Sequence, residues 1–420
     1  MNGGLHRCLR GRCVFPKTVE AAELQIPRLE LMTVRGIACI ALVCYHVIGP
    51  TQSSGLHLPD TSAWHTAMNA LDFLRMPMFA VLSGYLYAAR RAEAASVGAF
   101  LIAKGRRLAL PLLFVTAITF VLRAIVYKDQ RSFAEALFFH YEHLWFLQSL
   151  LLIFVGVSLW DSFRRPRWVG LTIVGFAAVM VSRTFYTTSF LSIQGALYLL
   201  PFFITGMVLQ LHPQLLCEKG ISELALAILV LVLGLTQGAT LFGGNEITRW
   251  SMPAAFCGVS GAYLMLVHCP RLPLAESIGR YSFAIFLWHS LAASAARHAL
   301  ERWFTLPTPI AFIYLVFVAI SVPIAIHLAA QRVPIVSALA LGVRPVSRLR
   351  SADYFSLVVA RLKSGKPSAY SSPYLSSPAD THSMDSAGSH QLGPDPKKGQ
   401  KVTSPRHPDE TVATSSNALR

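Results

Sequence analysis

Apolar residues along the chain fall in blocks of about 18 to 22, the length at which an α-helix crosses the hydrocarbon of a bilayer. The pattern predicts ten such helices, roughly at 32–50, 70–88, 108–126, 145–160, 168–182, 189–211, 221–240, 251–268, 278–298 and 309–331. The blocks are continuous runs rather than ten-residue alternations, which argues against a β-barrel. The expected fold class is all-α: a polytopic membrane protein with about ten transmembrane helices. The first run is too long for a cleavable signal peptide, and no small-residue cleavage site follows it.

Four segments follow from this pattern. Residues 1–31 form a basic cytosolic arm, or precede a true start at Met32. Residues 32–331 form the ten-helix domain. Residues 332–363 are a basic juxtamembrane segment that can lie on an anionic leaflet through Arg344, Arg348, Arg350, Arg361 and Lys363. Residues 364–420 are rich in Ser, Pro, Gly and Lys and read as a disordered cytosolic tail. With the N-terminus inside, the inner segments before the tail hold 15 Lys and Arg and the outer loops 5. Positive charge marks the cytoplasmic side, so both termini are expected in the cytoplasm of a cell whose plasma (inner) membrane the chain crosses many times.

Composition agrees. The chain is 54% hydrophobic and 14% charged, with a mean hydropathy of +0.49, where a soluble domain would be about a quarter charged. The net charge of +16 is accounted for by inner-side basic residues, so no nucleic-acid partner is expected; membrane lipids are. None of the seven cysteines falls in an expected outer loop, so no disulfide framework is implied. Cys8 and Cys13 lack partners at finger-like spacing, and no metal is expected.

Charged or titratable groups inside apolar runs are costly and need a reason. The stretch RGIACIALVCYHVIG holds two, Arg35 and His46. Eleven residues at about 100° each bring them to within about 20° of one face, and about 16 Å apart along the axis. Either residue alone has a structural explanation: Arg35 can snorkel to inner headgroups, and His46 can bond a neighbouring helix. Together they argue that this face looks into the protein. The second span carries Asp72 and Arg75 at i and i+3, near its outer end and at the depth of His46. A carboxylate there could orient the imidazole as a general base; equally, Asp72 and Arg75 could simply pair with each other. The apolar surroundings of Cys39 and Cys44 make both packing residues rather than nucleophiles.

Further along, HLWFLQSL places His143 and Trp145 at the outer start of the fourth span, where Trp is ordinarily an interfacial anchor. GRYSFAIFLWHS places His289 deeper, where helix–helix hydrogen bonding competes with a functional role. The run KGRRLALP, with Lys104, Arg106 and Arg107, leads into the third span; Arg90 and Arg91 lie on the same side. Its point charge and guanidinium forks suit a polyphosphate at the membrane surface.

Taken in order, the Arg-x10-His of the first span, RMPMFAVLSGYLY, KGRRLALP, HLWFL, YLLPFFITG and SFAIFLWH resemble the acyltransferase 3 family of ten-helix integral membrane acyltransferases, over about residues 28–331. MPMFAVLSGYL departs from the family's more aromatic version after the proline. The resemblance implies transfer of an acyl group, often acetyl, from cytosolic acyl-CoA as co-substrate to a hydroxyl of a carbohydrate or glycolipid, with no permanently bound cofactor. By motif it makes His46 the catalytic histidine and Arg35 its paired arginine, and it links a basic loop around Arg106 and Arg107 to the acyl donor. Direct transfer with His46 as base and a covalent acyl-histidine both remain open. The competing class is a transporter or flippase of a lipid-linked sugar, which intramembrane Arg, Asp and His would also suit.

Overall fold

The computed structural model describes residues 28–89, 97–128, 130–139, 141–163, 168–184, 190–242 and 248–343. The N-terminal arm to residue 27, Arg90 and Arg91, and everything from residue 344 onward lie outside the described residues. Among the described residues the regular structure is helical throughout: α1 (Arg28–Ile48), α2 (Ala63–Ala88), α3 (Val97–Tyr127), α4 (Phe133–Phe138), α5 (Trp145–Phe163), α6 (Trp168–Thr184), α7 (Ile193–Leu211), α8 (Lys219–Phe242), α9 (Met252–His268), α10 (Pro273–Arg280), α11 (Ser282–Trp303), α12 (Thr308–Ala330) and α13 (Pro334–Leu341).

Each of the ten expected apolar segments is therefore helical. By length and apolarity, six stretches qualify as spans: those in α1, α3, α4–α5, α7, α8 and α12. A seventh qualifies if α9 and α10, bent by 116° at their junction, count as one. α6 is only 17 residues long, and α2 and α11 are diluted by polar residues such as Asp72, Arg75, His289 and Glu301.

Outward-facing apolar surface confirms the membrane character. α8 leaves Val230 62% and Leu231 61% exposed, and α12 leaves Ile313 67% and Phe317 68% exposed. Bands of that kind are not tolerated facing water. The interior is built instead around α2. It crosses α7 backbone against backbone, because Gly84 and Gly206 carry no Cβ; one added at either would run into the carbonyl oxygens of Phe203 and Val81, respectively. Close approach through small residues is how membrane helices gain packing energy without a hydrophobic drive. α1 meets α10 in the same way through Gly36 and Gly279. Ser62 and Ser251 cap α2 and α9 by accepting from backbone N–H groups.

Two boundaries differ from expectation. Lys104, Arg106 and Arg107 do not sit in a loop: α3 begins at Val97 and runs through Pro111. Nothing between Val97 and Pro111 breaks a helix, and a proline inside a membrane helix is accommodated by its neighbours. The ninth predicted segment is not one helix either. Tyr281 separates the short amphipathic α10 from α11.

Candidate functional site

Three imidazoles meet where α1, the turn before α5 and α11 converge. The ring centroids of His46 and His289 are 4.9 Å apart, those of His143 and His289 4.9 Å, and those of His46 and His143 5.9 Å, all edge to face. His289 is fully buried, His143 nearly so, and His46 half-buried.

Local sequence fixes each position. Gly49 takes φ +93°, and its N–H donates to the Tyr45 carbonyl at 2.8 Å, ending α1 two residues after His46. His65 ties the loop beyond, its two ring nitrogens 3.1 Å from the Gly49 carbonyl and 2.9 Å from that of Pro59. His143 lies in the single 3-10 turn Glu142–Leu144, whose first residue is held left-handed at φ 49° and ion-paired to Arg123 of α3. His289 sits in the second turn of α11.

The hydrogen bonds assign tautomers. His289 Nδ1 lies 2.8 Å from the Ile285 carbonyl and 3.0 Å from that of Phe286, so Nδ1 carries the proton. His143 Nε2 lies 3.3 Å from the Leu287 carbonyl and donates there. What remains on each neutral ring is a buried lone-pair nitrogen, His289 Nε2 and His143 Nδ1, and neither has a partner. Two unsatisfied acceptors in one cluster cost free energy, and a hydroxyl entering beside His46 would satisfy one. Phe286, 5.6 Å from His143, begins an aromatic wall that continues through Phe146 (5.4 Å) to Phe79 (6.0 Å) and lowers the local polarity.

Asp72 pairs with Arg75 one turn along α2. The Arg75 guanidinium lies over the Tyr45 ring, its carbon 3.3 Å from that ring's centroid, and Tyr45 is 5.1 Å from His46. The neighbours of the His46 ring are thus two imidazoles and a tyrosine, and the Asp72 carboxylate is engaged by Arg75. Arg35 is half-buried, its Nη1 4.0 Å from Met32 Sδ. Cys39 and Leu42, on the face between Arg35 and His46, are fully buried, so that face looks into the protein. Three turns of helix nevertheless keep Arg35 away from the imidazoles.

At the far end of the bundle Lys104 lies 4.2 Å from the centroid of Phe154, and Arg106 keeps a buried, unpartnered Nε. α13 ends against them: a Cβ on Gly342 would lie 2.6 Å from Arg107 Cα. Trp145 packs on α7, where a Cβ on Gly195 would fall 2.7 Å from the indole. Among the described residues no group of three or more His, Cys, Asp and Glu side chains is arranged to hold a metal ion.

Sequence reasoning missed Tyr45, the Phe79–Phe146–Phe286 wall and the Arg123–Glu142 pair. Tyr45 alone had a signal: it adjoins His46, at the depth where Arg75 needs an aromatic or anionic neighbour.

A family model described as an acyltransferase domain matches residues 28–328. No curated protein and no solved structure matches the chain.

Proposed function

The chain belongs to the acyltransferase 3 family, and from that premise we infer that it moves an acyl group, acetyl in the first instance, from cytosolic acyl-CoA to a hydroxyl of a carbohydrate or glycolipid at the outer face. In this reading all ten long helices cross the plasma membrane with both termini inside, and α10 and α13 lie at the inner side. Lys104, Arg106 and Arg107 hold the phosphates of the donor there, since a polyanion cannot enter hydrocarbon. The pantetheine arm carries the thioester inward past Arg35 towards the imidazoles.

His46 takes the proton from the acceptor hydroxyl as its oxygen attacks the thioester carbon. His143 and His289 wall the ring and offer their unprotonated nitrogens to the polar group that enters. The observation that supports this reading most is that cluster: three imidazoles from three separate helical elements, two of them with vacant acceptor nitrogens, the third half-buried. The family match favours acyl transfer over sugar transport.

Membrane vesicles containing wild type or His46→Ala, supplied with radiolabelled acetyl-CoA, test it. Label in the cell's own glycans should appear with wild type and fall by about 10²–10⁴-fold with His46→Ala, the range for a lost general base. Undiminished labelling at equal protein levels would reduce His46 to packing. No labelling from acetyl-CoA or longer acyl-CoAs with wild type would return the chain to the transport class.

A further inference from the structure

Arg75 is 2% exposed, yet only one of its nitrogens, Nη2, has a hydrogen-bond partner, the Asp72 carboxylate; Nε and Nη1 are buried with none. Leaving donors of a charged group unmade is among the costlier arrangements a fold can hold, and it persists where surrounding structure imposes it. Here it does. Two residues to either side of Arg75, Pro77 and the Phe73 carbonyl are wedged against Gly258 of α9, so closely that a Cβ there would lie 2.9 Å and 2.8 Å from them. That contact fixes α2 on one side. Tyr45 of α1 packs its ring against the guanidinium. The distances over Tyr45, 3.3 Å and 5.1 Å laid end to end, keep the guanidinium carbon within about 8.4 Å of the His46 centroid. The guanidinium and the imidazole are thus near enough to act on one small polar group.

We propose that Arg75 is a catalytic residue, one of whose vacant donors, Nε–H or Nη1–H, receives the thioester carbonyl oxygen as it becomes an oxyanion. This rests on the acyl-transfer reading and adds a second reacting-centre residue to it. The acceptor oxygen bonds to the carbonyl carbon while His46 takes the hydroxyl proton, and the carbonyl π electrons move to oxygen, facing Arg75. On collapse the C–S bond breaks, the thiolate takes the proton from His46, and ester and free thiol leave. Fixed donors in a water-poor site stabilise such charge without reorganising. Asp72, on Nη2, and Tyr45, against the guanidinium, are positioning residues that hold the vacant donors in place.

The experiment uses the full chain in nanodiscs, with acetyl-CoA as the probe. It follows two reactions: thiol release with water as acceptor, and label transfer to the producing cell's envelope glycans. Because the oxyanion forms in both, Arg75→Gln and Arg75→Lys should lower kcat of both by about 10²–10³-fold, with the KM for acetyl-CoA little changed. Arg75→Lys keeps the charge and can still face Asp72, so it serves if Arg75→Gln does not fold; guanidinium added to Arg75→Ala should restore part of the rate. The proposal is overturned if hydrolysis is unaffected while glycan transfer falls, which would make Arg75 a clamp for an anionic acceptor. It is equally overturned if folded variants keep wild-type kcat. If Arg75 variants are active where His46→Ala is dead, only this inference fails. Undiminished activity of His46→Ala, or a wild type that never cleaves the thioester, removes the acyl-transfer reading and this one with it.

Discussion

Replacing Asp72 by asparagine keeps the shape beside Arg75 and removes the only carboxylate bonded to it. The pair is lopsided: the arginine side chain is 3% exposed and the aspartate 27%. Exposed ion pairs contribute about 0–1 kcal/mol, and removing one partner of a fully buried pair costs about 3–5 kcal/mol because the other charge is stranded. Asp72 lies between these limits, and asparagine can still accept one neutral hydrogen bond, so the expected loss is about 2 kcal/mol. On the scale for domains of 150–250 residues that lowers Tm by about 4–8 °C, nearer the lower figure for a longer chain. Thermal unfolding in detergent measures it. The sharper comparison is the double variant Asp72→Asn/Arg75→Met, in which the stranded charge is also gone. It should be more stable than the two single losses added together, with a coupling of about 1–2 kcal/mol. Additivity within about 0.5 kcal/mol, or an Asp72→Asn protein as stable as wild type, would refute the account of Arg75 as a buried charge with one partner.

Two further outcomes are expected. Gly84→Val and Gly206→Val should each destabilise by about 1–3 kcal/mol or more, since a side chain meets backbone across the α2–α7 crossing; Gly98→Ala, with nothing within 4 Å of its added carbon, should be neutral or slightly stabilising, and equal thermal shifts for all three would undo the packing argument. His289→Ala and His143→Ala should lower acyl transfer by up to about 10²-fold without touching the donor KM, the effect of a misplaced base, and a His289→Ala enzyme with wild-type kcat would separate the cluster from the chemistry.

The helices were legible because span-length apolar runs leave little else for the chain to do in a bilayer. Their ends were less so. A basic run ahead of a proline reads as a loop, yet Lys104, Arg106 and Arg107 lie two to three turns inside a helix that begins at Val97. Lys and Arg are good helix formers, so charge alone does not mark where a membrane helix starts. The site residues were legible one by one, as polar groups in apolar surroundings. Their assembly was not. Helical periodicity gives the face of α1 that carries His46, but not which helix faces it. Consecutive spans suggested Asp72, yet its carboxylate is taken by Arg75, a turn away on its own helix. The imidazole meets instead His143 and His289, delivered by elements far along the chain.

The distribution of burial separates a polar interior from the lipid-facing helices independently of any motif. α8 and α12 turn broad apolar faces outward and carry none of the intramembrane polar residues discussed above, whereas His46, Arg75, His143 and His289 all come from α1, α2, α11 and the turn before α5, packed among other helices. A bilayer enforces that division, because a charge or a vacant hydrogen-bonding atom facing lipid has nothing to meet. Within the protected interior, however, packing alone would have favoured apolar residues at every one of those positions. A guanidinium with two vacant donors reaches the half-buried His46 through Tyr45, and two imidazoles with vacant acceptors pack on the same ring. Vacant donors and vacant acceptors around one imidazole are complementary to a group that loses a proton while a neighbouring oxygen gains negative charge. Attack of a hydroxyl on an acyl carbonyl has that polarity, and passage of an intact sugar does not require it.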